Sequence, residues 1–563
     1  MSKLYISIWT LVVFIPISVF AQQPASGEIE DVQVIIEKDK PLTLPKAGRL
    51  HQKAEVKKIE EDTVSLTYEV GQPEFSFDAY KPSFKPKAFA RKGKTNLIFN
   101  NYVKVGYGNY KSPLIEAYGS FVERLNYVGA GFRHESFGRG SVSNTDSQFS
   151  SNDLFISGRY VARYVTIEPI VKYHREGYYY YGYDVAAFQA VSAPEHSYIQ
   201  AVSLYNDLTL GGSIASSGNS EWQWTFVPVY SRTTMGFKSA DRFNTDQSID
   251  LNTDINYALT ENAALDFNAA YTFLQYTSGS IESNRSKAVI NPAYRTSADN
   301  FHLKVGVKAV FGSDTTSSFY FYPDVEAKYT ISEKLGAKLI VDGDLQANSL
   351  SDFFTQNKYL NDSLVLINTN RQLGVKAGLD FRVSEKLFLE ATAGYDIIKG
   401  QPLYHYSAND SSRFNVRYDD NFGKFLLSVK GLYMLSANSF ISSTLNYYVY
   451  KEGSQPEAWF LPLRKLEINA GHEFIKGLEA NARLTVVGGI KAPLTMQSST
   501  AGTQQEYVNQ DPIFDLGMDV SYEIKENLEV FGQADNILNQ KYERFMNYVS
   551  FGTTAKIGFI FRF

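Results

Sequence analysis

The sequence predicts an all-β chain: a transmembrane antiparallel β-barrel of about 22 strands with a short N-terminal periplasmic or lumenal segment. Three observations predict it. First, the last residues alternate. Phe551, Thr553, Ala555, Ile557, Phe559, Phe561 and Phe563 share one face, and Gly552, Thr554, Lys556, Gly558, Ile560 and Arg562 share the other. A period of two marks a strand whose faces meet different media. Second, the same device recurs from Asn96 onward. Third, no segment beyond residue 21 holds 18 consecutive apolar residues. A membrane chain without such a run spans as a closed barrel or lies at the surface, because lipid leaves no partner for an open backbone.

Composition agrees. With 39 Tyr and 39 Phe the chain is 15 % aromatic, a surplus that girdles at two membrane interfaces would use. Mean hydropathy is -0.25, as befits strands that turn one face to water. The net charge of -5 leaves no electrostatic footprint for nucleic acid. There is no Cys, which removes disulfides, thiolate metal sites, a Cys nucleophile and a lipidated N-terminal Cys.

In chain order, Met1–Ala21 reads as a secretory signal: Lys3 is the basic start, Ile6–Phe20 the apolar stretch, and cleavage falls ahead of Gln22. Residues 22–94 read as a periplasmic or lumenal segment with little core of its own. It is weakly alternating around Val32, Val34 and Ile35, charge-rich over Lys53–Glu61, and basic with Pro82 and Pro86 over Tyr80–Lys94. Residues 95–563 read as the barrel. Leu251, Thr253, Ile255, Tyr257 and Leu259 oppose Asn252, Asp254 and Asn256. Leu335, Ala337, Leu339, Val341 and Leu345 oppose Lys334, Lys338, Asp342 and Asp344. Polar rows of both signs suit a water-filled interior.

Turns supply the count. Four share one chemistry, at Thr260–Ala263, Ser332–Leu335, Ser384–Leu387 and Lys525–Leu528. Others fall at Arg124–Asn126, Ala162–Tyr164, Ser217–Ser220, Ser297–Asn300, Ser436–Ser439 and Ile475–Gly477, making ten in all. With both termini on the periplasmic side, ten such turns imply about 22 strands. Longer outer segments are expected near Phe137–Ser151, Gly177–His196, Gly236–Asp246, Leu350–Thr369, Gly400–Phe422 and Ala492–Asp511, with Arg413–Tyr418 and Ile537–Tyr548 ambiguous.

Sites for chemistry are scarce. The seven His lie far apart without metal-ligand spacing, and Asp342/Asp344 read as lumen hydration. A barrel hydrolase needs a nucleophile beside a His base. His174, His196 and His405 fall near outer loops, but no Ser or Asp motif accompanies them. No catalytic residue, metal or cofactor is assigned. The run Tyr178, Tyr179, Tyr180, Tyr181, Gly182, Tyr183 opens an outer loop. It reads either as an exposed platform for sugars or protein partners, or as a girdle where the strand leaves the membrane. Trp222 and Trp224 read as the periplasmic-side girdle.

The stretch Leu528–Tyr542, with Asn536 followed by Ile537 and Leu538 and then Tyr542, resembles the penultimate strand of the TonB-dependent receptor family. The closing strand with Phe559, Phe561 and Phe563 is similar to that family's last. The resemblance implies a Gram-negative outer membrane, lipid and the outer-membrane insertion machinery as partners, and Asn536, Tyr542, Phe559, Phe561 and Phe563 as the barrel-closure and insertion signal. It departs from the family in one respect. Residues 22–94 are too few for the plug that members fold inside the barrel, so the chain reads as a plug-less relative. Two functions stay open: transport or ligand capture at the cell surface, and an accessory barrel in an assembly, secretion or nutrient-uptake complex with other outer-membrane or surface proteins.

Overall fold

A computed structural model describes residues 101–142, 147–182, 202–218, 221–237, 242–279, 281–314, 317–407, 410, 412–493 and 507–563. The signal expected at 1–21, the segment expected at 22–94 and Tyr183 lie outside them.

Alternating residues become one 22-stranded antiparallel sheet. Each strand pairs with the next along the chain, and the sheet closes on itself. The first strand, Tyr102–Gly108, pairs both with its successor, Ser112–Glu123, and with the last, Thr554–Arg562. That seam runs in unbroken register from Tyr102 opposite Arg562 to Gly108 opposite Lys556. Closure leaves no edge, as lipid requires.

All ten short turns fall where the sequence puts them, and the described ends of the barrel, Asn101 and Phe563, meet on their side through Phe563 N to Asn101 O at 3.0 Å. The short-turn end is thus the periplasmic one. Of the outer segments, Gly236–Asp246 is mostly strand: only residues 238–241 separate Trp222–Phe237 from Arg242–Thr260. Of the two ambiguous stretches, Phe414–Asp419 is a strand outside the barrel, paired with Gln401–Tyr406, and residues 536–553 form the last outer connection. Neither adds to the ring.

The outward rows are exposed to lipid. Ile557, Phe559, Phe561 and Phe563 on the closing strand all point out, as do Leu251, Leu265, Val305 and Leu339. Near the short turns Trp222 lies against Tyr257, ring centroids 4.4 Å apart, and Tyr160, Tyr329 and Phe474 are exposed close to other short turns.

The inward rows pair among themselves. Arg371 donates to both oxygens of Asp342 at 2.5 and 2.6 Å. Lys304 meets Asp324 at 2.7 Å, Lys338 meets Glu390 at 2.5 Å, and Lys556 meets Glu135. Leu345 departs from its expected outward row. The register shifts between Asp342 and Asp344, so the residues beyond the bulge change face, and Leu345 is buried with Val289, Val310 and Tyr322.

Candidate functional site

The outer loops carry a core of their own. Residues 347–368 contain the one α-helix among the described residues, α1, Leu350–Gln356. Its sequence explains its start. Ser349 Oγ accepts the Asp352 amide at 3.1 Å, and the Asp352 carboxylate accepts the Ser349 amide at 2.9 Å, a reciprocal cap. Leu350, Phe353 and Phe354, at helical spacing, form its buried face. The Phe354 ring stacks on Tyr205 of the barrel wall at 3.6 Å, and Tyr205 donates to Ser351 Oγ at 3.0 Å. The Leu350 amide donates to Asp246 Oδ2 at 2.7 Å.

Other loops converge on this one. The hairpin of Gln401–Tyr406 and Phe414–Asp419 reaches it through the Phe414 amide to Tyr359 O at 2.9 Å and Tyr404 Oη to Phe353 O at 3.4 Å. Arg413 of that hairpin lies over the rings of Phe237 and Tyr180 and pairs with Asp362 at 3.3 Å. From residues 452–463 come Trp459 and Phe460. Phe460 holds a left-handed backbone, φ 58°, pinned by its amide to Lys491 O at 2.9 Å. From residues 536–553 come Phe545 and Tyr548. The Tyr548 ring stacks on Tyr359 at 3.3 Å, and its hydroxyl donates to Ser412 O. These residues leave the barrel from strands all round the ring yet form one buried cluster. The outer loops therefore meet across the mouth and cap it.

Tyr178, Tyr180 and Tyr181 of the Tyr run pack into this cap. Tyr178 and Tyr180 are 2 % and 4 % exposed, Tyr179 and Tyr181 half-buried. Tyr180 donates to Leu360 O at 2.6 Å and Tyr181 to Val549 O at 3.1 Å. A girdle would face lipid and a platform would face water; these rings instead fill the space between loops. Gly182 permits the contact, since a Cβ there would lie 2.3 Å from the Tyr548 ring. Burial raises the Tyr180 hydroxyl above its ordinary value.

The C-terminal motif has a local role. Asn536 is buried. Its Nδ2 donates to Gln540 O at 2.8 Å and Phe551 O at 2.7 Å, and its Oδ1 accepts the Gln540 amide at 3.1 Å, closing both ends of the last outer connection. Tyr542 donates to Asp515 Oδ2 at 2.9 Å.

Of the His read near outer loops, His174 is held at both ring nitrogens, whereas the buried Nε2 of His405 has no hydrogen-bond partner among the described residues. His174 lies 2.6 Å from Asp153 and 3.3 Å from Glu176, so carboxylates hold both ring nitrogens. His405 lies among Trp459 and the cap, and burial, with Arg417 beside it, pushes it down to about 4. His196 lies outside the described residues. Among the described residues no three His or acidic side chains come together as metal ligands.

The cap was the part that sequence reasoning missed. Its signal was present: Phe353-Phe354 stand in a segment read as an outer loop, where a solvated chain has no use for them, Phe545 stands in one left ambiguous, and Trp459-Phe460 in a stretch given no reading.

No protein-family model matches the chain and no curated protein matches it. Solved structures do. The barrel is similar to the FrpB iron transporter from Neisseria meningitidis (F3-3 variant), with a TM-score of 0.65 over 83 % of this chain and 81 % of that one, at 9 % identity. It is similar to the ferric-catecholate import receptor Fiu from K12 E. coli in its closed form, with a TM-score of 0.61 over 82 % of each chain, at 9 % identity. Against Pseudomonas aeruginosa FpvA bound to a heterologous pyoverdine, the TM-score is 0.62 over 83 % of this chain and 72 % of that one, at 10 % identity. Such identities speak for fold. In fold, then, this chain is a closed 22-stranded antiparallel β-barrel similar to those of the FrpB iron transporter and the import receptor Fiu.

Proposed function

We propose that the chain is a transport or ligand-capture barrel of the outer membrane, entered from the cell surface through a mouth that its own loops keep shut. The observation that carries this reading is the cap. Loops from the whole ring bury an aromatic core over a lumen whose walls are polar and charged. A barrel this wide would leak small solutes if open, and an accessory scaffold has no evident need for a mouth closed this way. The likeness to an iron transporter and an import receptor supports the same class of work. In this reading the loops perform the closure that the family leaves to a plug, and residues 22–94 are not required for it.

Planar-bilayer recording tests the proposal. The intact chain should conduct little. Replacing residues 350–366 with a short Gly-Ser linker should give large, steady conductance, and deleting residues 22–94 should change little. Large conductance on deleting 22–94 alone would make that segment the plug. Silence in every form, with outer-membrane proteins co-purifying stably, would favour the accessory role.

A further inference from the structure

Beneath residues 347–368 the barrel wall holds two opposite charges that are not joined to each other. Arg285, on strand Ile281–Ala298, is 1 % exposed. Its Nη1 donates to Asn368 Oδ1 at 3.4 Å, while Nε and Nη2 find no partner among the described residues. Asp246, on strand Arg242–Thr260, is 4 % exposed; Oδ2 accepts the Leu350 amide, and Oδ1 accepts nothing. The register sets them on a diagonal across strand Ala263–Ser278, with Asp246 opposite Tyr276 and Arg285 opposite Leu274.

A guanidinium keeps its charge at any pH a protein meets. Holding it out of water without a counter-ion or a full set of acceptors is strongly unfavourable. A loop meant to stay down for good would let Arg285 and Asp246 pair beneath it. Here each charge is committed to a different end of the loop, Asp246 to Leu350 at its start and Arg285 to Asn368 at its end.

We propose that this divided pair is the release spring of a lid formed by residues 347–368. Lifting the lid rehydrates Arg285 and frees it and Asp246 to meet. Aromatic packing, above all Phe354 on Tyr205 and Tyr359 on Tyr548, works the other way and holds the lid down. The balance leaves it shut but releasable. The inference deepens the transport reading and rests on it only for the purpose that opening serves.

The absence of Cys makes the test clean. Leu364, 1 % exposed, becomes the only thiol in Leu364→Cys, and a membrane-impermeant maleimide applied to the full chain in vesicles reaches it only when the lid lifts. Val365→Cys, at a position 62 % exposed, is the freely labelled control. Adding Arg285→Met, which keeps the length and removes the charge, should slow labelling of Leu364→Cys about tenfold. Asp246→Asn, which keeps an acceptor for Leu350 but ends the pairing, should slow it too. Equal or faster labelling in Arg285→Met would mean that the arginine merely ties the lid down, and the proposal fails. It fails equally if Leu364→Cys never labels while Val365→Cys does. Heat-dependent gel mobility establishes that each variant is a closed barrel, and Asp246→Asn carries the test should Arg285→Met not fold. Conductance of the same variants separates the two ideas: slowed labelling without a change in conductance keeps the spring and removes the transport reading.

Discussion

Two buried ionisable side chains in the cap make its stability depend on pH. His405 is held near 4, below the ordinary imidazole value of about 6.5. A histidine kept neutral in the fold but free to charge once unpacked contributes stability above 6.5, and that stability is lost as pH falls from there toward 4. Asp419 acts lower down. Burial alone would raise its carboxyl, but the amides of Gln455, Asn421, Gly453 and Ser454 outweigh it and hold it below the usual range. Its contribution goes as pH falls through that lowered value, below about 4. Amide exchange over 401–419 and 452–463 should therefore quicken in two steps on acidification. His405→Gln should abolish the upper step only; a single step in the parent would refute the assignment. Gly182→Val drives a branched side chain into the Tyr548 ring and should loosen Tyr181 from Val549. Faster exchange over 545–550 would show it. At this scale the sequence was least informative: it offers Tyr178–Tyr181 as a run of one residue type, but whether such rings meet lipid, water or each other depends on loops hundreds of residues away.

Among the elements, α1 is the most exposed to simple perturbation, since seven residues cannot hold a helix without their cap and their packing. Ser349→Ala removes the hydroxyl that receives the Asp352 amide and should cost about 1 kcal/mol, read as faster exchange at residues 350–354. Phe354→Ala takes away the ring on Tyr205 and should cost about 3 kcal/mol or more locally, raising the labelling rate of Leu364→Cys. The strands, by contrast, were legible almost throughout. Their alternation has a local cause, a pleat between lipid and water, so Leu251–Leu259 or Leu303–Phe311 needs no distant information. Leu345 fails for a local reason as well: the register shifts between Asp342 and Asp344, at Gly343, and turns the row over. The helix and the Gln401–Asp419 hairpin were not read, because outside the membrane the two-fold pattern no longer binds.

For the whole molecule, the lipid-facing row of the closing strand can be tested by charge. Phe559→Arg places a cation on the outer face and should destabilise the barrel by about 2–4 kcal/mol if it lies near the bilayer midplane, measured by urea unfolding in vesicles. Asn252→Arg, on the lumen face, should change stability by far less. Equal losses would contradict the assignment of faces. Strand number followed from counting ten short turns, four of them of one chemistry, so the architecture was readable from sequence although no family model matches it. The cap was not, because its contacts join strands from opposite parts of the ring. The seam between Tyr102–Gly108 and Thr554–Arg562 bears on how the chain is made. During synthesis its first strand emerges hundreds of residues before its final neighbour exists. Every nascent length short of the finished chain thus carries two raw edges, each able to pair with another molecule. Until strand Thr554–Arg562 is added, both margins of the sheet stay open to other molecules, and a chain kept apart from its neighbours for that long should form a ring where a crowded one should form aggregate.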